Sequence, residues 1–547
     1  MIESTRDGYR IPTFATYSPP SDGEAQTRHP VVVVGGGLCG LTLACDLAAR
    51  GQPVVLLDED DTVGVRGSAS RGIVYAQKSL EIFDRLGVFD RIASKGIAWS
   101  IGRSLVEDEV VYSFDAARGN LSCQPPFLNI QQFYVEWFLA ERLHGHPLAD
   151  VRWGNRLTGV RVNDDFVTLE VEWSGGRYEI EADWVVDCGG LNSTLRNGLA
   201  LPTYPAKGTE RWLICDVRFA DALPNERWTW IRTRANDGRA VWRHPMADGI
   251  WRIDFQLDAG DDTEPSEETC RALLRRLLGP DVAFDLIWYG PWASRTHLLD
   301  NFRRDRILFA GDSAHVFPPF GARGGNSGIQ DADNLGWKLA LVLAGLAPAR
   351  LLDSYDLERR AAAVHNTRVA SRSLSFVSPA TAQERLIQEQ VIALARRYPF
   401  ARSLVNTGRL SEAFTYPRSD FVADGGGASV PNAAFVCGDG RAGTLVDIVG
   451  GIPSFVLLTR DGAPPAAVDP LLRVFTVGPG EEADIRDPAG DLGGLLGLAG
   501  HEGVLVRPDL HVAGYLDDVG AENVAVLLGR ALGARAPGIA EELPNEP

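Results

Sequence analysis

The chain has 547 residues and a formal net charge of −18, and this length exceeds what one hydrophobic core normally serves, so we expect two or three domains. Apolar residues make up 45% and charged residues 23% of the sequence, which is ordinary for a globular protein and argues against a fibrous or largely disordered chain. The acidic balance, with no run of Lys and Arg interleaved with aromatic residues, argues against a nucleic-acid partner.

The sequence also gives no support for membrane insertion, secretion or metal binding. The longest uncharged apolar stretch, 31–45, contains four glycines and is shorter than the roughly 20 residues that cross a bilayer. The N-terminus has no apolar run followed by a small-residue cleavage site, so we expect a cytoplasmic protein. The seven cysteines are scattered and contain no C-x-x-C, which favours reduced thiols over disulfides or a metal site.

The first predicted elements form a βαβ unit behind a polar arm. Residues 1–29 are polar and predict an extended arm. The β-branched run 31–34 is typical of a buried parallel strand, 38–50 has helical periodicity, and 53–57 is a second strand. The sequence therefore predicts the start of a parallel α/β sheet.

Later parts of the chain differ in pattern. Alternating apolar and polar residues from about 150 to 300 predict antiparallel strands. A buried strand at 307–309 and a helix at about 329–346 return the chain to its first domain. We therefore expect an α/β protein whose parts are a Rossmann-like domain with interleaved strands over 30–205 and 296–375, a mainly antiparallel sheet domain over 206–295, a helical connection over 376–422 and a C-terminal domain over 423–547.

A glycine motif follows the first predicted strand. It is a G-x-G-x-x-G, whose glycines permit a tight turn, close approach of a pyrophosphate and close helix packing. The start of the next helix carries about half a positive charge and unpaired N–H groups, and an acidic residue after the second strand can bind a ribose hydroxyl. The predicted dinucleotide contacts are Gly35, Gly37, Leu38, Cys39, Gly40, Asp58 and Glu59.

A longer motif covers residues 306–340 and reads R-I-L-F-A-G-D-S-A-H-V-F-P-P-F-G-A-R-G-G-N-S-G-I-Q-D-A-D-N-L-G-W-K-L-A. It resembles the flavin motif of the para-hydroxybenzoate hydroxylase family, the class A flavoprotein monooxygenases. The resemblance runs over most of residues 30–375, and within the family the chain is similar to the 3-(3-hydroxyphenyl)propionate hydroxylase-like enzymes. It implies FAD as the cofactor of the Rossmann-like domain.

The resemblance also implies which residues contact FAD. Asp312 would accept a hydrogen bond from a ribityl hydroxyl, and the residues from Gly324 onward would open a helix whose N–H groups face the flavin N1–C2=O edge. Two shorter matches, around residues 70–81 and 132–136, add an arginine and a glutamine. The full implied set is Gly311, Asp312, Pro319, Gly324, Gly325, Asn326, Arg71 and Gln132.

Two positions depart from the family pattern. Where the family carries C-D-G-A-R-S, residues 188–193 read C-G-G-L-N-S, with glycine for the aspartate and asparagine for the arginine. Because the family associates that motif with FAD and NAD(P)H contacts, the choice between NADH and NADPH stays open. Arg323 stands where many members have glutamine, and it faces either an anionic substrate or solvent.

The resemblance also implies a reaction. NAD(P)H would reduce FAD, O2 would add at flavin C4a as a hydroperoxide, and a phenolic ring would be hydroxylated. The aromatic-rich strands between about 210 and 300 would bind the substrate, although core packing is the plainer explanation for any one aromatic residue. His244 is the candidate for phenol deprotonation, whereas His315 is expected to hold the flavin loop. The candidate pocket residues are Trp230, Trp242, Phe255, Tyr289, Phe320 and Arg323.

The C-terminal domain resembles the thioredoxin-like tail of longer family members, but without a C-x-x-C it is expected to be structural or to form a homodimer. Two rival functions remain. A flavin monooxygenase could instead epoxidise a polyketide or insert oxygen by a Baeyer–Villiger reaction, and a non-catalytic flavin-binding protein would fit the altered segment 188–193.

Overall fold

The structure, a computed structural model, describes residues 2–6, 9–20, 28–64, 72–202, 206–220, 223–258, 264–449, 454–460 and 469–534. In chain order its strands are β1 (Ile2–Arg6), β2 (Tyr9–Thr13), β3 (Arg28–Val34), β4 (Val54–Leu57), β5 (Val74–Ala76), β6 (Ile97–Trp99), β7 (Ile101–Val106), β8 (Glu109–Asp115), β9 (Phe127–Asn129), β10 (Ala149–Arg152), β11 (Arg156–Val162), β12 (Val167–Trp173), β13 (Gly176–Asp187), β14 (Ala206–Phe219), β15 (Arg227–Thr233), β16 (Arg239–Pro245), β17 (Ile250–Gln256), β18 (Phe284–Leu298), β19 (Arg303–Arg304), β20 (Ile307–Phe309), β21 (His315–Val316), β22 (Ala434–Cys437), β23 (Ala442–Thr444), β24 (Phe455–Arg460), β25 (Leu472–Gly478), β26 (Ile485–Arg486), β27 (Gly503–Val506) and β28 (Val512–Leu516). The helices are α1 (Leu38–Ala49), α2 (Gln77–Arg85), α3 (Phe89–Lys95), α4 (Gln132–Leu143), α5 (Thr194–Gly198), α6 (Glu267–Leu278), α7 (Arg323–Leu343), α8 (Asp353–Val377), α9 (Ala382–Arg397), α10 (Leu445–Val449), α11 (Asp491–Leu495) and α12 (Ala521–Ala531).

The first sheet has the order β10-β4-β3-β13-β12-β11, and β20 and β19 extend it beside β13. β10, β4, β3, β13 and β20 pair in parallel. The four residues of β4 are all buried, as expected for a strand covered on both faces. The predicted first βαβ unit is present, whereas α7 begins six residues before the predicted 329, because the glycines at its start give no apolar periodicity.

Strand β13 brings the two glycine motifs together. Its first half pairs antiparallel with β12, and its second half pairs in parallel with β3 on one side and β20 on the other. Asp187, its last residue, is opposite both Val34 and Phe309. The turns that follow all three strands therefore leave the same edge of the sheet.

The second sheet has the order β21-β18-β14-β17-β16-β15-β7-β8. It includes the hairpin β7–β8, which lies inside the range 30–205, so the sheet domain is larger than 206–295. β15 pairs with β7 in parallel, and this pairing cannot be read from local alternation. Because side chains alternate along a strand, the sheet has an outer face packed on α6 and an inner face turned toward the first domain.

The N-terminal residues do not form a free extended arm. β1 and β2 pair as an antiparallel hairpin, and Tyr9 and Ile11 are buried in the main core. Tyr9 Oη also lies 3.4 Å from a carboxylate oxygen of Asp216 on the inner face of the second sheet. The hairpin therefore links the first domain to the second sheet.

The helical connection packs on the inner face of the second sheet. It contains the end of α8 and all of α9, and its residues from 405 to 422 include no helix or strand. Ile392 and Val405 share a hydrophobic cluster with Trp212, Trp242 and Phe320. Within the described residues, no helix is both long and apolar enough to cross a membrane.

The C-terminal domain is a mixed sheet of order β23-β22-β26-β25-β24-β27-β28. β24, β25 and β26 are parallel, whereas β27 and β28 form an antiparallel hairpin. Its hydrophobic cluster includes Trp337 of α7, whose ring meets that of Phe455 edge-on at 5.5 Å. The domain is therefore packed directly on the flavin-motif helix.

Candidate functional site

The turn after β3 requires glycine at two positions. Gly35 has φ +106°, and a Cβ there would lie 2.4 Å from the carbonyl oxygen of Cys188. A Cβ on Gly40 would lie 2.0 Å from the carbonyl oxygen of Gly35. These distances are shorter than any non-bonded contact, so α1 can approach the sheet this closely only with glycine at both positions.

A cavity of about 370 Å³ lies beside the start of α1. The predicted cofactor residues Gly35, Gly37, Asp58, Glu59 and Gln132 line it. The predicted contacts Leu38, Cys39 and Gly40 do not line this cavity. They lie in the first turn of α1, where Cys39 packs against Gly311: a Cβ on Gly311 would be 3.0 Å from the Cys39 Cβ. The full lining is Val34, Gly35, Gly36, Gly37, Leu57, Asp58, Glu59, Asp60, Thr62, Val63, Gly64, Gln132, Phe133, Glu136, Asn155, Arg156, Leu157, Cys188, Gly189, Gly190, Asn192 and Thr194.

Asp58 fixes the shape of this cavity. One carboxylate oxygen accepts a hydrogen bond from the backbone N–H of Gly36 at 2.5 Å, and the other accepts one from Asp60 at 2.8 Å. Burial raises the pKa of Asp58 to about 6, although the two backbone N–H groups oppose this. Its carboxylate joins the glycine turn to the end of β4 and can still accept a hydrogen bond from a ribose hydroxyl.

Gln132 and Glu136 form a second polar wall, of which only Gln132 was predicted. Gln132 accepts from the backbone N–H of Gly72 at 2.7 Å and donates to Glu136 at 2.8 Å. Glu136 also accepts from Gly64 at 3.2 Å. The four-residue spacing on one helix face could have identified Glu136. Arg71 lies outside the described residues.

The altered segment 188–193 has a buried carboxylate beside it, that of Asp187. Asp187 accepts hydrogen bonds from the backbone N–H of Gly189 at 2.9 Å and from the Ser193 hydroxyl. A Cβ on Gly189 would lie only 3.0 Å from the Asp187 carboxylate. Burial raises the pKa of Asp187 to about 6, partly offset by these bonds and by Arg196. The comparison with the family motif did not identify Asp187, because the motif has its aspartate at the position of Gly189, two residues later.

The flavin-motif loop is held by one buried carboxylate. Asp331 accepts from the backbone N–H of Gly311 at 3.0 Å and from Arg359 at 2.6 Å, and it hydrogen-bonds with His315 at 2.6 Å. Burial alone would raise the pKa of Asp331, but His315 and Arg359 outweigh it and lower the pKa to about 2. Gly311 is thereby fixed at the end of β20, beside the exposed Asp312.

Helix α7 begins without a side-chain cap. Its N-cap residue, Ala322, makes no capping bond, and a Cβ on Gly324 would meet nothing within 4 Å. α1 likewise has no side-chain cap. Since the first N–H groups of a helix need partners, both helix starts suit an electronegative ligand.

Asn326 does not offer its side chain to a cofactor. Its amide oxygen accepts from Ala76 at 2.9 Å and Ser79 at 2.7 Å, and its amide nitrogen donates to Val74 at 2.8 Å and Ala322 at 2.6 Å. These bonds join α7 to β5 and α2. Only the backbone of Asn326 is left to contact FAD.

The predicted pocket residues are divided between the two faces of the second sheet. Trp242 is on the inner face, where its ring stacks on Trp212 at 4.5 Å and meets Phe320 edge-on at 5.0 Å. By contrast, Trp230, Phe255 and Tyr289 lie on the outer face in the cluster that packs on α6. The aromatic residues were grouped by composition, which ignores the side-chain alternation that separates them.

Arg323 does not face solvent. It is buried, and its terminal nitrogens donate to Asn366 at 2.5 Å and to the carbonyls of Arg409 and Leu410 at 2.9 and 3.1 Å. Burial lowers the pKa of Arg323 to about 10. Its side chain ties the start of α7 to the connecting segment after α9.

The inner face also carries buried polar atoms that have no hydrogen-bond partner among the described residues. They lie on β14 to β17 or at the start of α7. Such atoms are costly unless water or a ligand satisfies them. They are Trp212 Nε1, Arg227 Nε, Thr229 Oγ1, Trp242 Nε1, His244 Nδ1, Asp254 Oδ1 and Arg323 Nε.

Comparisons with known proteins identify the family of the chain. Residues 28–370 match the family described as FAD binding domain. A 3-(3-hydroxy-phenyl)propionate/3-hydroxycinnamic acid hydroxylase from Mycolicibacterium gilvum is 30% identical over 395 residues, which are 70% of this chain and 66% of that protein. The match therefore spans just under two thirds of that relative's length.

A rifampicin monooxygenase from Rhodococcus hoagii is 28% identical over 462 residues, 79% of this chain and 94% of that protein. The crystal structure of the flavin-dependent monooxygenase PieE, in complex with FAD and substrate, has a TM-score of 0.77 at 22% identity and covers 93% of this chain and all of that one. The chain belongs to the FAD binding domain family of class A flavoprotein monooxygenases.

Proposed function

We propose that the chain is an FAD-dependent monooxygenase that hydroxylates a phenolic substrate with O2 and NAD(P)H. The observation that carries this proposal is the convergence of two uncapped helix starts, α1 and α7: a Cβ on Gly325 would lie only 3.2 Å from the side chain of Leu38. FAD, when bound, supplies the transfer of reducing equivalents and the activation of O2. The protein's part is to bind FAD, orient the substrate and exclude water.

The described residues fit FAD in two halves. The cavity with Asp58, Gln132 and Glu136 would hold the adenosine and pyrophosphate, because it combines ribose acceptors with the start of α1. The N–H groups at the start of α7 would hold the flavin ring. Asp312, Pro319 and the backbone of Gly325 stay proposed contacts of that half. The electron donor is proposed as NADH or NADPH without preference.

We place the substrate between the inner face of the second sheet and the flavin loop. Trp242 and Phe320 would provide its apolar wall, because their rings touch where sheet and loop meet. Trp230, Phe255 and Tyr289 would support this wall from the outer face. His244 is on the inner face with Nδ1 unpartnered, and we propose it as a neutral hydrogen-bonding contact.

The names of two relatives support two classes of substrate for this chain. The hydroxylase from M. gilvum supports a small hydroxyphenyl acid. The rifampicin monooxygenase supports rifampicin or a compound like it as the substrate, since the match extends over 94% of that protein. Epoxidation or Baeyer–Villiger insertion on a polyketide is a distinct outcome that product analysis would reveal.

The C-terminal domain is proposed to be thioredoxin-like and structural. Its mixed sheet, closing hairpin β27–β28 and covering helix α12 support the fold. Cys437 is the single cysteine after residue 422, so no dithiol exchange is proposed there.

We also propose a cytoplasmic homodimer. Several large apolar side chains of α9 and the turn after it are exposed, and a second copy would cover them. They are Leu386, Ile387, Leu394, Phe400 and Leu404. The free cysteines support a reducing compartment. Light scattering of the purified chain would test the dimer.

One purification tests the function. The recombinant chain should be yellow with bound FAD, and its NADH or NADPH oxidation should accelerate on addition of a phenol. The panel should contain 3-(3-hydroxyphenyl)propionate, 3-hydroxycinnamate, 4-nitrophenol and rifampicin, with labelled O2 and mass analysis of products. Bound FAD without phenol-stimulated oxidation would instead favour the non-catalytic alternative.

A further inference from the structure

One ion pair on the inner face is complete. Arg252 donates to both carboxylate oxygens of Asp216, at 2.9 and 3.1 Å. Both side chains are fully buried or nearly so, and Tyr9 donates to the same carboxylate. The charge of Arg252 is therefore matched by Asp216. Asp254 follows Arg252 by two residues on β17 but accepts no hydrogen bond from Arg252.

Asp254 and Arg227 are left as two buried charges of opposite sign. Asp254 is 9% exposed and Arg227 is 4% exposed. Among the described residues, Asp254 Oδ1 and Arg227 Nε have no partner, and these two side chains form no ion pair with each other. Arg227 makes one long hydrogen bond, 3.3 Å from Nη2 to the carbonyl of Thr407. Unpaired buried charges are costly, so this pair is suited to a ligand that bonds to both.

The strand register places this pair around the proposed substrate wall. Trp242 is opposite Asp254 across the β16–β17 ladder. The Arg227 guanidinium lies 6.0 Å from the Trp242 ring centroid, and Trp242 in turn contacts Phe320 of the flavin loop. A phenol stacked at Trp242 would have an acceptor on one side and a donor on the other.

We propose that Asp254 and Arg227 bind the substrate hydroxyl, an inference that rests on the proposed function and specifies its substrate site. The hydroxyl donates to Asp254 Oδ1 and accepts a hydrogen bond from Arg227. Its O–H bond then breaks, the proton moves to the Asp254 carboxylate, and the electron pair stays on the oxygen as a phenolate. Arg227 stabilises that negative charge, and the phenolate has the electron density that activates the ring.

Asp254 suits this role better than His244. Burial, Arg227 and Arg252 hold the pKa of His244 well below 6.5, so it is a weak base. Burial raises the pKa of Asp254 to about 7, with Arg252 and Arg227 opposing and Asp216 reinforcing the shift. The charged and titratable groups named around Asp254 are Asp216, Arg227, His244 and Arg252 on β14 to β17, and Tyr9 of β2, which bonds to Asp216. A base with a pKa near 7 is matched to a proton transfer at neutral pH.

The test compares wild type, Asp254→Asn, Asp254→Glu and Arg227→Met, with Asp285→Asn as the control. Asp285 is an exposed aspartate of the same sheet. The probe is whichever of 3-(3-hydroxyphenyl)propionate and 3-hydroxycinnamate most stimulates wild-type NAD(P)H oxidation. For each FAD-loaded protein, kcat/KM is measured from about pH 5.5 to 9, because its pH dependence reports the essential base of the free enzyme.

Wild-type kcat/KM should rise through about pH 7. Asp254→Asn should abolish this rise and lower kcat/KM about 100-fold at pH 8, a typical loss for a proton acceptor. Asp254→Glu should keep a rise, Arg227→Met should move it to higher pH, and Asp285→Asn should match wild type. A rise retained in FAD-loaded Asp254→Asn overturns the inference and leaves the proposed function standing. If no phenol stimulates the wild-type chain, the proposed function fails and this inference fails with it.

Discussion

Arg507 in the C-terminal domain donates from its two terminal nitrogens to the carboxylate of Glu358 in α8, at 2.6 and 2.9 Å. Both side chains are almost completely buried. Glu358 also accepts from Lys338 of α7 at 2.8 Å, and Arg507 also donates to Asp509. The C-terminal domain is thus joined by buried charges to the helix whose start is proposed to hold the flavin.

Replacing Arg507 with Met should therefore destabilise the whole chain. The change leaves the buried Asp509 carboxylate with only the longer contacts from Asn334 at 3.4 Å and His511 at 3.5 Å. Loss of one partner from a buried ion pair costs about 3–5 kcal/mol. Urea unfolding followed by tryptophan fluorescence and by bound flavin should show both signals lost at a lower urea concentration. As a control, Arg418→Met removes the exposed pair with Asp424 and should change stability by less than about 1 kcal/mol. Flavin release unchanged in Arg507→Met would contradict this coupling.

Gly35→Ala should weaken FAD binding. The added Cβ would collide with the Cys188 carbonyl, and the positive φ would cost a further 1–2 kcal/mol or so. We expect the affinity for FAD, measured by flavin fluorescence quenching, to fall at least roughly tenfold, equivalent to 1.4 kcal/mol. Gly494→Ala is the matched control, because a Cβ there meets nothing within 4 Å. Normal FAD affinity in Gly35→Ala would place the cofactor elsewhere.

The first domain could be predicted from sequence because its signals are local. The run at 31–34, the glycine turn after it and the acid at Asp58 are close in the chain and lie together in the fold. The motif match at 306–340 placed the second helix start. Five of the residues that the sequence predicts as cofactor contacts line one cavity: Gly35, Gly37, Asp58, Glu59 and Gln132.

The rest depends on contacts that local patterns do not encode. The hairpin β7–β8 joins the second sheet through a parallel pairing between segments more than a hundred residues apart. Alternate side chains of a strand lie on the inner and the outer face. Grouping the aromatic residues by composition ignored this alternation and put Trp230 and Trp242 together, although they lie on opposite faces. Asp254 and Arg227 belong to no sequence motif. They are identified only by buried side-chain atoms that have no hydrogen-bond partner among the described residues.

The Asp331 carboxylate should contribute to the free energy of unfolding at neutral pH, and this contribution should be lost in acid. Its pKa is about 2 when folded, against an ordinary value of 3.8. Because the folded pKa is lowered, the contribution, on the order of 2 kcal/mol, is present above about pH 4 and is lost as pH falls toward 2. The difference in urea midpoint between wild type and Asp331→Asn should therefore shrink from pH 6 to pH 3. Asp285→Asn should show no such trend, and a constant difference for Asp331→Asn would contradict the assignment.

Trp242 and Trp230 provide a direct test of which face of the second sheet binds substrate. Trp242→Phe keeps an aromatic ring but loses part of the contact with Phe320 and Trp212. Since an aromatic pair contributes about 0.5–1.5 kcal/mol, we expect the KM for the stimulating phenol to rise roughly 2- to 10-fold. Trp230→Phe removes volume from the outer cluster on α6, so it should lower the free energy of unfolding by about 1–3 kcal/mol and leave KM unchanged. If Trp230→Phe raised KM while Trp242→Phe did not, the substrate would have to lie on the outer face.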